Sequence, residues 1–506
     1  MEWLSDLGLG MLAAIQPGVF LAAFVGVIIG VIIGVIPGLG PAVAMSLSIP
    51  LTFTLSPAVA ISLLLGIYKG GTYGGSISAI LINTPGTPAA AATILDGYPL
   101  AKQGKAGKAL YMALYASVCG DAVSIMLLLA VAQPLASVAL MFGPPELFAL
   151  LLFALTVIGG LAGESLLRGV ISAVIGLMLA TIGTDTISGD LRFTFNILYF
   201  EDGFSIIPMI IGLFAISEVL NQVYHTDGRH GEALLPPPSC PEDNYVTRKE
   251  LRSCLPIFLQ SSLIGAGIGA LPGTGSTTAA YLSYGAAKRR SKNPELFGKG
   301  SIEGVAAAES GNNAVCGGAL IPMLSLGIPG DVVTAILMGA LTVHGIIVGP
   351  MVFYEHRAFV FTLFAMLLIS IAMLYISGIF SIKFCRKLAD LPQSRIMPIV
   401  MILCVLGSFA TNMNLNDIWL MLFMGCLGLC MNKLRVPIAP MVIAFVLAPK
   451  LEQSLRQALI LSDGSFMIFF TRPIALAFMI ISCLSVWQIL RMSRKTKRQN
   501  AEAAEG

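Results

Sequence analysis

Charged residues are scarce in this chain of 506 residues. The 30 Lys and Arg and 27 Asp and Glu residues make up 11% of the sequence, whereas soluble domains carry about 25%. Apolar residues make up 56%, and the mean hydropathy is +0.86. This composition excludes an ordinary soluble protein and predicts a polytopic membrane protein. The net charge of only +3 indicates no nucleic-acid-binding surface.

Motifs for metal, nucleotide and nucleophile chemistry are also missing. The four histidines form no HExxH or HxxxH pair, and the nine cysteines are scattered without the spacing of a metal site. There is no GxxxxGK[ST] phosphate loop and no Ser-His-Asp set. We therefore expect no enzyme, no bound metal and no cofactor, with Na⁺ or H⁺ as a coupling ion only.

Glycine and proline are abundant, with 53 and 28 residues. Plain membrane helices need few of either, so many spans are expected to be interrupted. The pattern predicts an all-α polytopic membrane protein with about 11–14 hydrophobic segments, in two inverted-topology repeats with broken helices or re-entrant hairpins. Two predicted segments cover 109–132 and 134–163, and another ends at 448, before a loop at 450–463.

A polar stretch with three consecutive prolines separates two apolar halves. The predicted regions are an amino-terminal interfacial segment (1–16), a first membrane repeat (17–223), a cytoplasmic linker (224–253), a second membrane repeat (254–460), an additional span (465–490) and a cytoplasmic tail (491–506).

The two halves share three motifs in the same order, which predicts an internal duplication. The matching pairs are GVIPGLGPAVA (34–44) with GALPGTGSTTA (269–279), GGSISAILINTPG (74–86) with GGALIPMLSLGIPG (317–330), and PMIIGLF (208–214) with PMVIAFV (440–446).

Lys and Arg residues predict that the copies are inverted, because short loops rich in them stay cytoplasmic. Two basic loops, 99–108 and 288–299, contrast with two weakly charged loops, 53–57 and 345–357. A basic loop of one copy corresponds to a weakly charged loop of the other. The amino end is expected outside and the carboxyl end in the cytoplasm, although the loop at 450–463, expected outside, carries two basic residues.

The PGLG and PGTG motifs are expected to break membrane helices just before short helices that start near Pro41 and Ser276. Free amide groups at a helix amino terminus favour an anion such as a carboxylate. Kinks or tight packing points are the alternative. The substrate-binding candidates at these breaks are Gly38, Leu39, Gly40, Gly273, Thr274, Gly275 and Ser276.

Two glycine-rich segments, 68–97 and 303–339, each end in a Pro-Gly break and predict a broken helix or hairpin. Small polar side chains there can donate hydrogen bonds to a carboxylate, and freed carbonyls can hold a cation. The alternative is that such hydroxyls bond their own helix. The further substrate-binding candidates are Ser76, Asn83, Thr84, Gly86, Asn312 and Asn313, and the cation-coupling candidates include Asn313, Pro329 and Gly330.

Ionisable residues inside membrane segments are costly and mark functional sites. Lys69 could neutralise a substrate carboxylate, and Glu309 could bind a coupling cation or proton. An ion pair between the two that locks the copies together is the alternative. Asp331 fits a helix cap or a ligand, and Asp96 and Asp121 are weaker candidates.

In combination, PGLG (37–40), YKGGTYGGSISAILINTPG (68–86), PGTG (272–275), ESGNNA (309–314) and LGIPGD (326–331) resemble the large membrane subunit of the tripartite tricarboxylate transporters. The resemblance implies a bacterial inner-membrane secondary transporter, driven by Na⁺ or H⁺. It also implies a small four-span membrane subunit and a periplasmic solute-binding protein that delivers a carboxylate such as citrate.

We therefore expect secondary active uptake of tricarboxylates or related carboxylates. A passive carboxylate channel, or an uptake system for a different small organic anion, is the alternative. The carboxylate, the coupling ion and the choice between an elevator and a rocking motion stay open at this point.

Overall fold

The computed structural model describes residues 2–161, 166–185, 187–224, 241–389, 393–487 and 491. Within these ranges the chain is almost entirely helical, as predicted. The sheet found there is one short antiparallel hairpin of β1 (Gly183–Thr184) and β2 (Leu191–Arg192).

The helices of the first half are joined by short connections, apart from 181–205, which contains the β-hairpin. They are α1 (Glu2–Ala14), α2 (Pro17–Val35), α3 (Pro41–Thr52), α4 (Pro57–Ile82), α5 (Ala91–Lys102), α6 (Ala106–Ala139), α7 (Pro144–Leu161), α8 (Leu166–Ala180), α9 (Ile206–Ile210) and α10 (Ser217–Tyr224), with a π-helical segment (Ile211–Ile216) between the last two.

The second half also consists of long and short helices. They are α11 (Arg248–Gly269), α12 (Gly275–Arg290), α13 (Ile302–Leu326), α14 (Val332–Val343), α15 (Val352–Glu355), α16 (Arg357–Ala389), α17 (Gln393–Asn412), α18 (Leu415–Lys433), α19 (Ile438–Leu461), α20 (Ile468–Thr471) and α21 (Pro473–Trp487).

Seven helices of the described chain are long and apolar enough to cross a membrane, and seven shorter helices are also apolar. The protein is therefore a multi-pass membrane protein. The seven long spans are Pro17–Val35, Ala106–Ala139, Ile206–Val223, Arg248–Gly269, Arg357–Lys383, Leu415–Lys433 and Ile438–Leu461.

The helices α4 and α13 lie in the interior of the protein. They have 26 and 25 residues, and every residue of 60–81 and 304–325 is buried. Both carry glycines and small polar residues in place of the apolar surface that lipid requires. Their polar side chains therefore face neighbouring helices.

Glycine allows α2 and α4 to pack with their backbones in contact. Gly26, Gly30 and Gly34 recur at every fourth position of α2. A methyl group added to Gly30 would come within 2.7 Å of the backbone nitrogen of Gly71 on α4. Such small-residue spacing is how membrane helices approach closely without a hydrophobic driving force.

Loops of like charge from the two copies contact each other. Gln103, in the first basic loop, donates a hydrogen bond to the carbonyl of Lys299 in the second (2.8 Å). At the ends of the weakly charged loops, Nε2 of His344 lies 3.2 Å from the hydroxyl of Thr52. The basic loops thus meet at one place, and the weakly charged loops meet at another.

Two predicted segment boundaries are wrong. The helix α6 runs through Pro134 to Ala139, so the chain breaks near Gly143 and not between 132 and 134. The helix α19 continues through Pro449 to Leu461, where a loop is expected from the sequence. In both cases, a proline within an apolar run does not end the helix, because packing of the rest of the helix outweighs the lost hydrogen bond. The additional span predicted at 465–490 contains the turn α20 and the helix α21.

The predicted linker and tail fall largely outside the described residues, which omit 225–240 and 492–506. The second half begins earlier than expected, at Arg248. A capping box explains this start, since the Thr247 hydroxyl accepts from the Glu250 N–H and the Glu250 carboxylate accepts from the Thr247 N–H.

Candidate functional site

Three helices, α4, α6 and α13, bring buried ionisable and polar side chains together inside the protein. Lys69 lies on α4, Asp121 on α6 and Glu309 on α13, and none is more than 1% exposed. These three residues define the centre of the candidate site.

Lys69 forms an ion pair with Asp121. Its Nζ lies 3.4 Å from Oδ2 of Asp121 and donates a hydrogen bond to the carbonyl of Leu367 (2.9 Å). The alternative ion pair between Lys69 and Glu309 is therefore wrong. Asp121 ranked low in the sequence because its partner lies on another helix, and spacing along one helix does not reveal such a partner.

Glu309 lies in a cluster of hydroxyl and amide groups, which we call the Glu309 pocket. Its carboxylate makes a short hydrogen bond with the Thr93 hydroxyl and accepts from Ser117 (3.4 Å) and from Asn313 Nδ2 (3.3 Å). Asn313 also donates to Ser117 (2.8 Å). Neither Thr93 nor Ser117 was singled out from the sequence, because a hydroxyl in an apolar run usually bonds its own backbone.

Two more polar side chains face this carboxylate. Ser76 and Asn312 lie beside Glu309, and both are at most 1% exposed. Within the described chain, neither side chain has a hydrogen-bond partner of ordinary geometry, and Oδ1 of Asn313 has none either. Polar atoms this deeply buried are rarely left without partners. Ser76, Asn312 and Asn313 therefore gather around Glu309.

Asp331 caps α14, so the helix-cap alternative is confirmed. Its carboxylate accepts from the N–H of Thr334 (2.8 Å), and the Tyr68 hydroxyl donates to its other oxygen (2.8 Å). Tyr68 is the neighbour of Lys69 on α4, so this bond links the cap to the site.

Asp96 anchors a loop. Its Oδ1 accepts backbone N–H bonds from Gly298, Gly300 and Ser301 (2.8–2.9 Å), and Tyr284 donates to Oδ2 (2.8 Å). All its bonds go to the protein, which explains a buried carboxylate without any ligand.

The PGLG break has the backbone conformation that its glycines require. Gly38 has a φ of +84°, in the region that favours glycine. A methyl group there would collide with the side chains of Glu218 and Gln222. Leu39 is buried in the hydrophobic core, so its side chain serves packing. Gly40 directly precedes α3, which starts at Pro41 as expected.

The PGTG break is bonded to the second Pro-Gly break. The N–H of Gly273 donates to the carbonyl of Gly330 (2.8 Å). The hydroxyl of Thr274 donates to Ile268 within its own turn (2.5 Å), and Ser276 lies in the first turn of α12 after Gly275. The sequence predicts that the carbonyls of Pro329 and Gly330 are free to bind a cation. The Gly330 carbonyl already accepts this hydrogen bond.

The Pro-Gly break of the first copy folds back onto α4. The N–H of Gly86 donates to the carbonyl of Gly75 (3.2 Å), and a methyl group on Gly86 would lie 2.7 Å from the Gly75 Cα and would also collide with Gly34. Asn83 and Thr84, at the end of α4, are exposed and do not join the buried cluster.

The second copy repeats this contact. A methyl group on Gly330 would lie 2.5 Å from the carbonyl oxygen of Gly269 and 2.7 Å from the Cα of Ala319. Gly269 is the counterpart of Gly34 in the sequence alignment, and Ala319 directly follows Gly318, the counterpart of Gly75. Each half therefore holds its break between corresponding helices.

An ion-pair network ties the β-hairpin, which lies outside the spans, to the last turns of α19. Arg456 contacts Asp185 (2.8 Å) and Glu452 (2.7 Å), and Arg192 contacts Glu452 (2.7 Å). The backbone N–H of Ile187, with these arginines, lowers the pKa of Asp185 from 3.8 to about 2. This pairing accounts for the basic residue Arg456, which did not fit an outer loop.

Comparison with known proteins gives one family and two relatives. The sequence model described as "Tripartite tricarboxylate transporter TctA family" matches residues 20–443. An Agrobacterium vitis protein named "Uncharacterized 52.8 kDa protein in TAR-I ttuC' 3'region" is 36% identical over 506 residues, covering 100% of both chains. A second, named "Uncharacterized protein in TAR-II ttuC' 3'region" from the same organism, is 36% identical over 234 residues, or 46% of this chain and 97% of its own. No solved structure matches the chain at a significant level.

Proposed function

The chain belongs to the TctA family of the tripartite tricarboxylate transporters, and on that premise we propose secondary active uptake of tricarboxylates or related carboxylates, coupled to Na⁺ or H⁺. The chain works in a bacterial inner membrane with a small four-span subunit, and a periplasmic binding protein delivers the substrate. The amino end is periplasmic and the carboxyl end is cytoplasmic.

The buried Lys69 carries this proposal. Of the described lysines and arginines it is the least exposed, at 1%, and a charge in such a place is costly unless it serves function. Its ammonium group can neutralise a substrate carboxylate. The amide groups after PGLG and PGTG, including those of Gly40 and Ser276, supply further hydrogen-bond donors for an anion.

The Glu309 pocket is the proposed cation site. Hard cations prefer oxygen ligands, and the pocket offers a carboxylate together with hydroxyl and amide oxygens. The unused oxygens of Ser76, Asn312 and Asn313 support coordination there. Ser76 and Asn312, predicted to bind the carboxylate, are therefore assigned to the cation in this proposal, and Asn313, predicted for both roles, is assigned to the cation as well.

We infer an inverted arrangement of the two copies. The contacts between the two basic loops, and between the two weakly charged loops, support it, because the loops that touch are not equivalent in the alignment of the copies. Equivalent loops would then lie on opposite faces. Inverted repeats commonly bind substrate near the midplane between broken helices.

Uptake by cells that express the chain with both partners tests the proposed function. Radiolabelled di- and tricarboxylates should accumulate above the external concentration in wild-type cells, and collapse of the Na⁺ or H⁺ gradient should stop accumulation. Lys69→Met should abolish it at equal expression. Uptake that only equilibrates, and ignores both gradients, would support a passive channel instead.

A further inference from the structure

The ion pair of Lys69 and Asp121 is poorly satisfied. Both residues are at most 1% exposed, yet neither oxygen of Asp121 accepts a hydrogen bond within the described chain. The ion pair at 3.4 Å is the contact that balances its charge. A buried pair that stabilises a fold needs hydrogen bonds at its remaining lone pairs, since desolvation costs several kcal/mol per ion.

Two other buried carboxylates of the chain show the contrast. Asp96 accepts three backbone N–H bonds and a tyrosine hydroxyl. Asp331 is bonded by Thr334 and Tyr68. Those two carboxylates hold structure, and each accepts several hydrogen bonds. Asp121 depends on one ammonium group. Such a carboxylate can leave its partner without breaking a hydrogen-bond network.

The position of Asp121 links the ammonium group to the Glu309 pocket. Asp121 lies four residues beyond Ser117 on α6, a rise of about 6 Å, and Ser117 donates to the Glu309 carboxylate. Glycine keeps α6 and α13 close here, because a methyl group on Gly120 would collide with the carbonyl of Ser310. The anion side and the cation side of the site are therefore neighbours on one pair of helices.

We propose that Asp121 is a resident counter-ion that a substrate carboxylate displaces from Lys69. This inference rests on the proposed function. When the substrate pairs with Lys69, Asp121 is left as an unpaired buried carboxylate beside the Glu309 pocket, and a Na⁺ ion or a proton neutralises it. A substrate carboxylate without the cation would leave Asp121 with an uncompensated buried negative charge, and a cation at Asp121 without substrate would compete with Lys69 for the same carboxylate. Joint binding gives both Lys69 and Asp121 a partner of opposite charge, so each ligand raises the affinity for the other.

Chemical rescue of the purified full-length chain in detergent tests this exchange. Asp121→Ala and the isosteric Asp121→Asn should both lower the melting temperature. Acetate, used as the probe, should restore a substantial part of the loss in Asp121→Ala, because it can occupy the vacated place beside Lys69. The double variant Lys69→Met/Asp121→Ala should not respond to acetate. Asp96→Asn, which changes a carboxylate that holds structure, is the matched control. It should also lower the melting temperature, and acetate should not restore it.

Uptake assays separate failure of this inference from failure of the proposed function. Wild-type cells without concentrative carboxylate uptake would overturn the proposed function. Given a working wild type, Asp121→Asn should lose accumulation against the gradient and keep exchange of labelled for unlabelled substrate. An Asp121→Asn variant that still accumulates substrate would overturn the inference, and so would an Asp121→Asn variant that loses both uptake and exchange. An acetate response of equal size in Asp121→Ala and in the double variant would also overturn it.

Discussion

At the scale of single residues, the interior depends on how each buried charge is neutralised. Lys69 has Asp121, Asp96 has a loop of backbone amides, and Glu309 has hydroxyl and amide groups. Glu309 is the one of these that is surrounded by neutral hydroxyl and amide groups, with oxygens of Ser76, Asn312 and Asn313 beside it. The cation dependence of the transporter should therefore be most sensitive at this residue.

Glu309→Gln should remove the dependence of uptake on the cation while it preserves the size and shape of the side chain. The amide is neutral and offers one carbonyl oxygen where two carboxylate oxygens were available, so Na⁺ or H⁺ should no longer stimulate uptake. Glu309→Ala should in addition destabilise the protein, by about 1–3 kcal/mol for each partner left unpaired. Initial uptake rates against external Na⁺ and pH measure the first effect. A Gln variant with the wild-type cation response would exclude Glu309 as the site.

The ion-pair network at the β-hairpin should weaken in acid. The pKa of Asp185 is lowered in the folded protein from 3.8 to about 2. Its contribution to stability is therefore fully present above the ordinary pKa and is lost as the pH falls toward about 2. Amide hydrogen exchange, corrected for intrinsic rates, should show the 183–192 segment opening in this range. In Asp185→Asn the segment should be as open at neutral pH as it is in the wild-type protein in acid. A variant with the wild-type exchange profile would contradict the assignment of this acid opening to Asp185.

The sequence identifies Lys69 and Glu309 because a charge within an apolar run needs no structure to be noticed. It gives no comparable signal for Thr93 and Ser117, whose hydroxyls resemble many others in helices. The sequence shows that Asp121 lies in an apolar run but does not show its partner, since the donors available to a carboxylate depend on which helices pack against it.

At the scale of helices, the two Pro-Gly breaks are positioned by glycine contacts that recur in both copies. The contact of Gly86 with α2 and α4 has its counterpart in that of Gly330 with α11 and α13. Both breaks are therefore closely packed against backbone atoms of the preceding helices, ahead of α5 and α14.

Gly86→Ala and Gly330→Ala should each destabilise the protein. The added methyl group would press on backbone atoms that cannot move aside, and such overpacking costs about 1–3 kcal/mol. Gly267→Ala is the matched control, since it lies in α11 with nothing within 4 Å of an added Cβ, and alanine favours a helix. Melting temperatures in detergent measure all three. A control as unstable as the two variants would contradict the packing argument.

Gly38→Leu and Asn313→Ala should both reduce uptake at unchanged expression. The first forces a side chain into the left-handed turn against Glu218 and Gln222, and the second removes a donor to Ser117 and Glu309. Uptake normalised to membrane-inserted protein provides the measurement. Normal transport in both variants would refute the proposed site.

Most helices are predictable from apolar runs, and the PGLG, PGTG and Pro-Gly breaks are located correctly. The errors arise at Pro134 and Pro449, which lie inside continuous helices. A proline ends a helix only when no other packing holds the following turns in place, and the sequence does not show that packing.

At the scale of the whole molecule, the inverted arrangement predicts which loops share a face of the membrane. Cysteines introduced singly at Gln103 and Lys299, in a background without accessible native cysteines, should react with an impermeant reagent from the cytoplasmic side only. A cysteine at Ser56 should react from the periplasmic side only. Labelling of Gln103 and Lys299 positions from opposite sides would contradict the topology.

The central claim is that a cation gradient drives carboxylate accumulation through Lys69, and the most direct measurement uses the purified three-component system in proteoliposomes. With labelled citrate and a panel of other di- and tricarboxylates, an imposed Na⁺ or H⁺ gradient should produce transient accumulation of at least one compound above equilibrium. Lys69→Met should abolish that accumulation. Gradient-independent equilibration of every compound, or full accumulation by Lys69→Met, would contradict the account.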